Sequence, residues 1–151
     1  MIEFERPADL SGHVGKSLGT GDWLLVDQAM IDRFAEATGD HQWIHVDVER
    51  AKRELPGGRT IAHGYLTLSL LPKLSSTVYR VRQRSRGVNY GSNRVRFTGT
   101  VPSGSRVRVH QTLLALEPIE GGHRLTIENK IEVEGQDRPA LIAETLSLAY
   151  D

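Results

Sequence analysis

Residues 39–47 (GDHQWIHVD) place two carboxylates, two imidazoles, an amide and an indole within nine positions. Asp40 and His45 suit general acid–base chemistry, in which one group removes a proton while the other supplies one. Side chains five positions apart point to opposite faces of a strand and lie about 140° apart around a helix. The two groups can therefore meet only if the chain turns between them. A single water molecule held by both would then be the reacting species.

Gly64 offers a second chemical feature, at the start of an apolar segment. Addition of water to a conjugated carbonyl compound builds negative charge on the carbonyl oxygen, which requires a hydrogen-bond donor. A glycine in the first turn of a helix supplies an unpaired amide and has no Cβ to block the approach of a ligand. We therefore predict that the Gly64 amide is an oxyanion donor.

The elements before this loop determine where Asp40 lies. Residues 17–26 read as a strand, and Asp27 can cap the helix that follows it by accepting from a first-turn amide. Gly39 supplies a C-terminal stop for that helix. Its predicted buried stripe has helical spacing and consists of Met30, Ile31, Phe34, Ala35 and Ala37.

Residues 61–74 (IAHGYLTLSLLPKL) are apolar on nearly every face, which predicts a buried helix that ends or kinks at Pro72. Before it, residues 48–59 form a polar crossing with a short helical piece. After it the pattern alternates, which predicts strands over residues 78–97 (broken by Gly87 and Gly91), 106–116, 123–133 and 141–150. The pattern predicts an α+β fold with one domain over residues 1–151, in which an antiparallel sheet wraps around a central apolar helix.

Composition narrows the classes of protein further. The 19 basic residues balance the 19 acidic ones, so no overall field favours nucleic acid or an anionic membrane. Because the chain has no cysteine, disulfides, a thiolate nucleophile and a zinc–thiolate site are excluded. No apolar run approaches the ~18 residues of a membrane span, and the N-terminal residues lack the apolar core of a signal peptide. We expect a soluble, cytoplasmic protein with no nucleic-acid or membrane partner.

Two separated stretches, FAEATGDHQWIHVDVERA and RTIAHGYLT, together resemble the MaoC-like (R)-specific enoyl-CoA hydratase family. The family signature is approximately Gly-Asp-x-Asn-Pro-x-His-x-Asp, followed by an apolar pair and His-Gly at the start of a central helix. The later segments NYGSNRVRF and VPSGSRVRV also look like the family's next strand and turn. One position departs from the signature, because Gln42 and Trp43 stand where the family has Asn-Pro.

The resemblance implies a hot-dog fold, a homodimer, and reversible syn addition of water to a trans-2-enoyl-CoA to give an (R)-3-hydroxyacyl-CoA. It assigns the acid–base pair to Asp40 and His45 and the oxyanion amide to Gly64. It implies no metal and no cofactor, since coenzyme A is carried by the substrate and the thioester is the electron sink. The remaining candidates for substrate contact are Gln42, Trp43, His63, Tyr65 and Asn93.

Several alternatives stay open at this stage. A hot-dog thioesterase would also use a carboxylate and a helix-terminal amide, and a non-catalytic acyl-CoA-binding or partner subunit would need neither. His41, His45 and Asp47 could suggest a metal site, although Asp47 can instead cap the following turn. His63 can be a structural residue bonded to the loop backbone. Alternating arginines could hold the coenzyme phosphates or form a solvated face; these are residues 80, 82, 84, 86, 94 and 96.

Overall fold

The computed structural model describes residues 1–151. The strands are β1 (Ile2–Phe4), β2 (Ser17–Thr20), β3 (Leu24–Val26), β4 (Tyr79–Val81), β5 (Arg86–Phe97), β6 (Ser105–Ile119), β7 (Gly122–Val133) and β8 (Leu141–Tyr150). The helices are α1 (Gln28–Thr38), α2 (Trp43–Val46), α3 (Val48–Glu54), α4 (Gly64–Ser69) and α5 (Leu71–Ser75). Short 3-10 segments cover Pro7–His13 and Pro56–Gly58. None of the helices is long and apolar enough to span a bilayer.

One antiparallel sheet of six strands organises the chain, in the order β2-β6-β7-β8-β5, with β3 also paired to β6. The alternation of apolar and polar residues suits such a sheet, because one face is buried and the other is solvated. Along β6, for example, Val107, Val109, Gln111 and Leu113 are buried while their neighbours are not. The predicted antiparallel sheet and the three later strands are confirmed.

Two predicted strands are divided in the structure. Residues 17–26 form β2 and β3, separated at Gly21, where a Cβ would lie 2.6 Å from Thr77 Oγ1. Residues 78–97 form β4 and β5, and the break falls at residues 82–85, so the prediction of breaks at Gly87 and Gly91 was wrong. Both glycines lie inside β5, with a register shift beside Gly91. β4 leaves the main sheet and pairs in parallel with β1, a long-range contact that no local pattern encodes.

The central helical segment starts later than predicted. Ile61 and Ala62 are extended, because their amides donate to the carbonyl oxygens of Ile44 (3.0 Å) and Val101 (2.8 Å). The helix then begins at Gly64 and breaks at Leu70, as Pro72 predicts. Its buried residues, Leu66, Leu70, Leu71 and Leu74, belong to one core of 24 buried side chains. Full burial of a leucine contributes about 1.5–3 kcal/mol, so this face holds the sheet and the helix together.

The helix α1 ends where the sequence predicts. Asp27 accepts a hydrogen bond from the Met30 amide at 2.9 Å. Gly39 adopts a left-handed φ of 78°, and its amide donates to the Ala35 carbonyl at 2.8 Å. The predicted stripe is wrong at Ala37, which is exposed because it lies on the solvent side of the last turn. The position of Gly39 matters because the acid–base loop begins directly after it.

Candidate active site

The loop after α1 turns back on itself and brings Asp40 near His45. Asp40 Oδ1 accepts from the Gln42 amide (3.3 Å), and the Gln42 carbonyl accepts from the His45 amide (3.0 Å). The closest polar side-chain atoms of Asp40, His45 and His63 all lie within 4.8 Å of one another. Two groups less than about 5.6 Å apart can share one water at ordinary hydrogen-bond distances. Asp40 itself is exposed, so such a water can exchange with solvent.

His45 is held in one orientation by backbone contacts. Its Nδ1 lies 2.7 Å from the Ile61 carbonyl oxygen, which can only accept, so Nδ1 carries the proton. In the neutral ring Nε2 is then left as a proton acceptor. The His45 carbonyl accepts from Gln28 Nε2 at 2.8 Å, and Thr60 donates to Gln28 Oε1. The side chain is 7% exposed, so the ring has little room to rotate.

His63 connects the two halves of the site. Its Nε2 donates to the Asp40 backbone carbonyl at 3.0 Å, and its ring stacks on His45 with centroids 3.9 Å apart and planes tilted by 23°. Phe34 packs against the other side at 4.8 Å. The ring is 2% exposed, and its Nδ1 has no hydrogen-bond partner. His63 therefore contacts the loop backbone, as a structural residue would.

The alternative metal set from the sequence is not assembled. His41 is exposed and lies 3.9 Å from Glu36, whereas Asp47 caps α3 by accepting from the Arg50 amide at 3.0 Å. The group with spacing suited to a metal ion is instead Asp40, His45 and His63. The atoms of this group that are free to bind a metal would be the Asp40 carboxylate oxygens, His45 Nε2 and His63 Nδ1. The lone pair of an imidazole nitrogen lies in the plane of its ring. Because the His45 and His63 rings are stacked and nearly parallel, their lone pairs point in similar directions and do not converge on one metal ion.

Gly64 lines the same small cavity as His45, with a volume of about 320 Å³. Its amide donates no hydrogen bond to the backbone, because the first intrahelical bond runs from Thr67 to His63. A Cβ at position 64 would lie 2.9 Å from the Phe97 ring, so only glycine fits without movement. Residues 98–101, which follow β5 in the chain, also line this cavity.

The structure places three of the predicted substrate contacts outside the cavity that contains His45 and Gly64. The Trp43 ring does not line the cavity. Instead, the Arg50 guanidinium lies over the Trp43 ring, 3.9 Å from the ring centroid. Tyr65 is 70% exposed and lies outside the cavity, because the first turn of α4 directs it to solvent. Asn93 lies on the exposed strand β5, where its Nδ2 donates to Glu144 at 2.8 Å. Contact of these three side chains with the substrate stays a prediction.

Gln42, another candidate for substrate contact, contributes its backbone to the turn. The Gln42 side chain is exposed and makes no hydrogen bond, while its backbone amide and carbonyl form the two hydrogen bonds of the turn.

Two of the arginines that could hold the coenzyme phosphates already have partners. Arg82 is paired with Glu3, and Arg86 lies 4.0 Å from the Tyr150 ring centroid, so neither is free to hold a phosphate without giving up its partner.

Four residues of the site were missed by the sequence reasoning. Gln28 and Thr60 support the His45 backbone, Ile61 sets its protonation, and Phe97 packs on Gly64. Each of the four acts on a residue 15 or more positions away in the sequence, and some of these contacts are made by backbone atoms. No periodicity or motif in a single sequence marks such contacts.

The family model described as "MaoC like domain" matches residues 9–134. The chain belongs to the MaoC-like family. It is 46% identical over 147 residues to "3-hydroxyacyl-thioester dehydratase Z" of Mycobacterium tuberculosis, with 97% of each chain covered. It is also 46% identical to "Nodulation protein N" of Rhizobium leguminosarum bv. viciae, covering 93% of this chain and 89% of the relative.

Solved structures of the family share this fold. An R-hydratase from Pseudomonas aeruginosa superposes with a TM-score of 0.77 at 20% identity, covering 97% of this chain and 86% of that one. The (R)-hydratase from A. caviae gives a TM-score of 0.69 at 23% identity, covering 89% of this chain and 94% of that one. The predicted hot-dog fold is confirmed. The family model and the mycobacterial relative support an activity of the hydratase or dehydratase type.

Proposed function

We propose that the protein catalyses the reversible syn hydration of trans-2-enoyl-CoA to (R)-3-hydroxyacyl-CoA. The observation that carries the proposal is the approach of Asp40 to His45, within 4.8 Å, with Nε2 of His45 left as an acceptor by the Ile61 contact. The mycobacterial relative is named as a dehydratase of 3-hydroxyacyl thioesters, and hydration is the reverse of that reaction.

The proposed mechanism begins with a water held between Asp40 and His45. As the water oxygen bonds to C3, the pair removes one of its protons, with Nε2 of His45 available to accept it. The electrons of the C2=C3 bond move onto the thioester oxygen and form an enolate. The enolate then collapses to the carbonyl as C2 takes a proton back from the pair on the same face. The sum is addition of one water molecule.

Gly64 is proposed to stabilise the enolate oxygen. Its amide is free of internal partners and lines the cavity that also contains His45, so the developing charge and the water can lie on opposite sides of one small space. A donor placed in advance at the developing charge is worth about 100-fold or more in rate. Since the thioester accepts the electrons, the proposal requires no metal and no redox cofactor. The proposed location remains the cytoplasm.

The protein is further proposed to act as a homodimer. β5 is the last strand of the sheet and pairs only with β8, so its other edge has no partner in the chain. All of its residues except Val95 are exposed, including Val88, Tyr90 and Phe97. A long exposed edge strand left open would promote aggregation, and antiparallel pairing with β5 of a second copy would cover it.

Incubation of the purified protein with crotonyl-CoA tests the reaction class. Hydration removes the enoyl absorbance and releases no thiol, and chiral chromatography of the product should give the (R)-3-hydroxy isomer. Release of free thiol would instead indicate a thioesterase, in which the thioester carbon is attacked. Binding of an acyl-CoA with neither reaction would indicate a non-catalytic subunit.

A further inference from the structure

A larger groove of about 930 Å³ runs along the central helical segment, on the concave face of the sheet. Leu68, Leu71, Pro72 and Ser75 line its helical side. Gly64 and Leu68 are four residues apart and share a face of α4, and Leu71, Pro72 and Ser75 continue the lining along α5. At a rise of about 1.5 Å per residue, Ser75 lies at most roughly 16 Å from Gly64. The groove therefore extends away from the proposed oxyanion amide by about the length of an extended acyl chain.

The floor of this groove is polar where a hydrocarbon chain would favour an apolar one. Gln111, Asn129 and Thr145 lie on the neighbouring strands β6, β7 and β8 and all line the groove. Gln111 is 2% exposed and Asn129 is 1% exposed. Asn129 Nδ2 donates to the carbonyl oxygens of Ile127 (3.1 Å) and Ala143 (3.2 Å) and to Thr145 Oγ1 (2.9 Å). These acceptors fix the orientation of the Asn129 amide.

The fixed Asn129 amide in turn fixes Gln111. The Oδ1 atom of Asn129 faces Gln111, whose Nε2 donates to it at 2.7 Å and to Ser75 Oγ at 2.7 Å. Reversal of the Gln111 amide would set two carbonyl oxygens against each other. The Gln111 Oε1 atom is therefore the one left over, buried and without a hydrogen-bond partner. Buried acceptors in native proteins are nearly always satisfied, so a donor from outside the chain is expected here.

We infer that the groove selects an acyl chain bearing a hydroxyl group, which donates its hydrogen bond to Gln111 Oε1. The inference rests on the proposed function, since it places the acyl chain of the enoyl thioester in the groove. The substrate class is then a hydroxylated enoyl thioester rather than a plain hydrocarbon one. Thr145 and Ser75 are in the same network and hold the acceptor in place.

The energetic basis is the cost of leaving a buried polar group unpaired. A site built to bind a hydroxyl discriminates strongly against the analogue that lacks it, because the acceptor then stays without a partner. An unsubstituted chain would expel any water from Gln111 Oε1 and offer no replacement. A chain with a hydroxyl at the right distance from the thioester avoids that penalty. The preference must therefore depend on the position of the hydroxyl along the chain.

The first test uses the unmodified protein. Pairs of trans-2-enoyl-CoA substrates, with and without a terminal hydroxyl, are compared over a series of chain lengths. The ratio of kcat/KM (hydroxylated over plain) should pass through a maximum at one length, about tenfold or more above the ratio at the shortest length. A ratio that stays flat or falls steadily with length would overturn the inference. In that case the hydrogen-bond donor to Gln111 Oε1 would be a buried water or a group from a second copy of the chain.

The second test changes the acceptor. Gln111→Met has a similar shape and no acceptor oxygen, and it should abolish the maximum in the ratio. Thr112→Val is the matched control, because the adjacent residue points to the other face of β6 and should keep the maximum. If Gln111→Met does not fold, as thermal unfolding would show, Ser75→Ala loosens the same acceptor and should lower the maximum. A maximum that persists in the folded Gln111 variant would exclude Gln111 as the contact.

Failure of the proposed reaction can be separated from failure of this inference. If no enoyl-CoA is hydrated at any length, the proposed function is wrong, and calorimetry with saturated acyl-CoA and its terminally hydroxylated counterpart still tests the groove. Tighter binding of the hydroxylated ligand by the wild type, lost in Gln111→Met, supports the subsite. Equal binding of both ligands at every length would remove it.

Discussion

The Nδ1 atom of His45 lies 2.7 Å from the carbonyl oxygen of Ile61, 16 residues further along the chain. This contact determines which ring nitrogen of the neutral His45 carries the proton, and it also fixes the orientation of the ring. The proton is held on the backbone side and Nε2 is left as an acceptor, while a ring nitrogen of His45 lies within 4.8 Å of an Asp40 carboxylate oxygen. An imidazole held in this way is prepared to accept a proton without first rotating.

We predict that Asp40→Asn and His45→Gln each reduce the hydration rate by at least about 100-fold, because each removes one member of the acid–base pair. The melting temperature should change little. Asp40 is exposed, and the glutamine amide can still donate to Ile61. Steady-state kinetics and thermal unfolding measure the two quantities. Wild-type activity in either variant would remove that residue from the mechanism.

His63 is predicted to act as a positioning residue, since its Nε2 holds the Asp40 carbonyl. His63→Phe keeps an aromatic ring beside His45 but loses the donor. We expect kcat to fall by about tenfold with a smaller change in KM, and the free energy of unfolding to fall by about 1–3 kcal/mol. His63→Gln, which retains a donor, is the control and should recover part of kcat. Near wild-type kcat in His63→Phe, with the loss confined to His63→Gln, would show that the ring, and not the hydrogen bond, is required.

Gly64→Ala should reduce kcat because the new Cβ would lie 2.9 Å from the Phe97 ring. The contact must push the ring or the start of α4 aside, which moves the proposed oxyanion amide. A loss of about 10- to 100-fold is expected. The second change Phe97→Leu makes room for the methyl group and should restore part of the activity in the double variant. Without such rescue, the steric explanation fails.

The open edge of β5 predicts a dimer in solution. Sedimentation velocity at micromolar concentration should give twice the monomer mass. The double substitution Val88→Lys, Tyr90→Lys places like charges on the exposed edge of both copies and should shift the population toward monomer. Leu114→Lys, an exposed apolar site on β6, is the control and should leave the dimer intact. A monomeric wild-type protein would contradict the pairing.

Glu132 is predicted to make the protein acid-sensitive. Hydrogen bonds from Arg108, and then from His110, hold the pKa of the Glu132 carboxyl below its usual value of 4.5. A carboxyl whose folded pKa is lowered adds stability above its unfolded pKa and loses that stability as the pH falls through the folded value. Glu132→Gln should therefore be less stable than the wild type at pH 7, and the difference should shrink below about pH 4.5. Urea midpoints at several pH values would show a constant difference if this is wrong.

The sequence predicted most of the local structure and the family. Asp27 and Gly39 mark the ends of α1 because a cap depends only on residues within one turn. The alternating segments predicted β6, β7 and β8 because side-chain direction in a strand repeats every two residues. Pro72 predicted the break in the central helix for the same local reason. The motif spacing pointed to Asp40, His45 and Gly64, which the structure brings to one region.

Other features depend on contacts between distant parts of the chain. Trp43, Tyr65 and Asn93 follow the predicted motifs in sequence, yet within this chain Trp43 contacts Arg50, Tyr65 faces solvent and Asn93 bonds Glu144. The sequence by itself determined which elements form and which residues could carry the chemistry, because these follow from interactions over a few positions. Only the tertiary structure decided which nitrogen of His45 is free and which oxygen of Gln111 is unpaired. Both follow from hydrogen bonds between residues at least 16 positions apart, and local periodicity carries no record of such bonds.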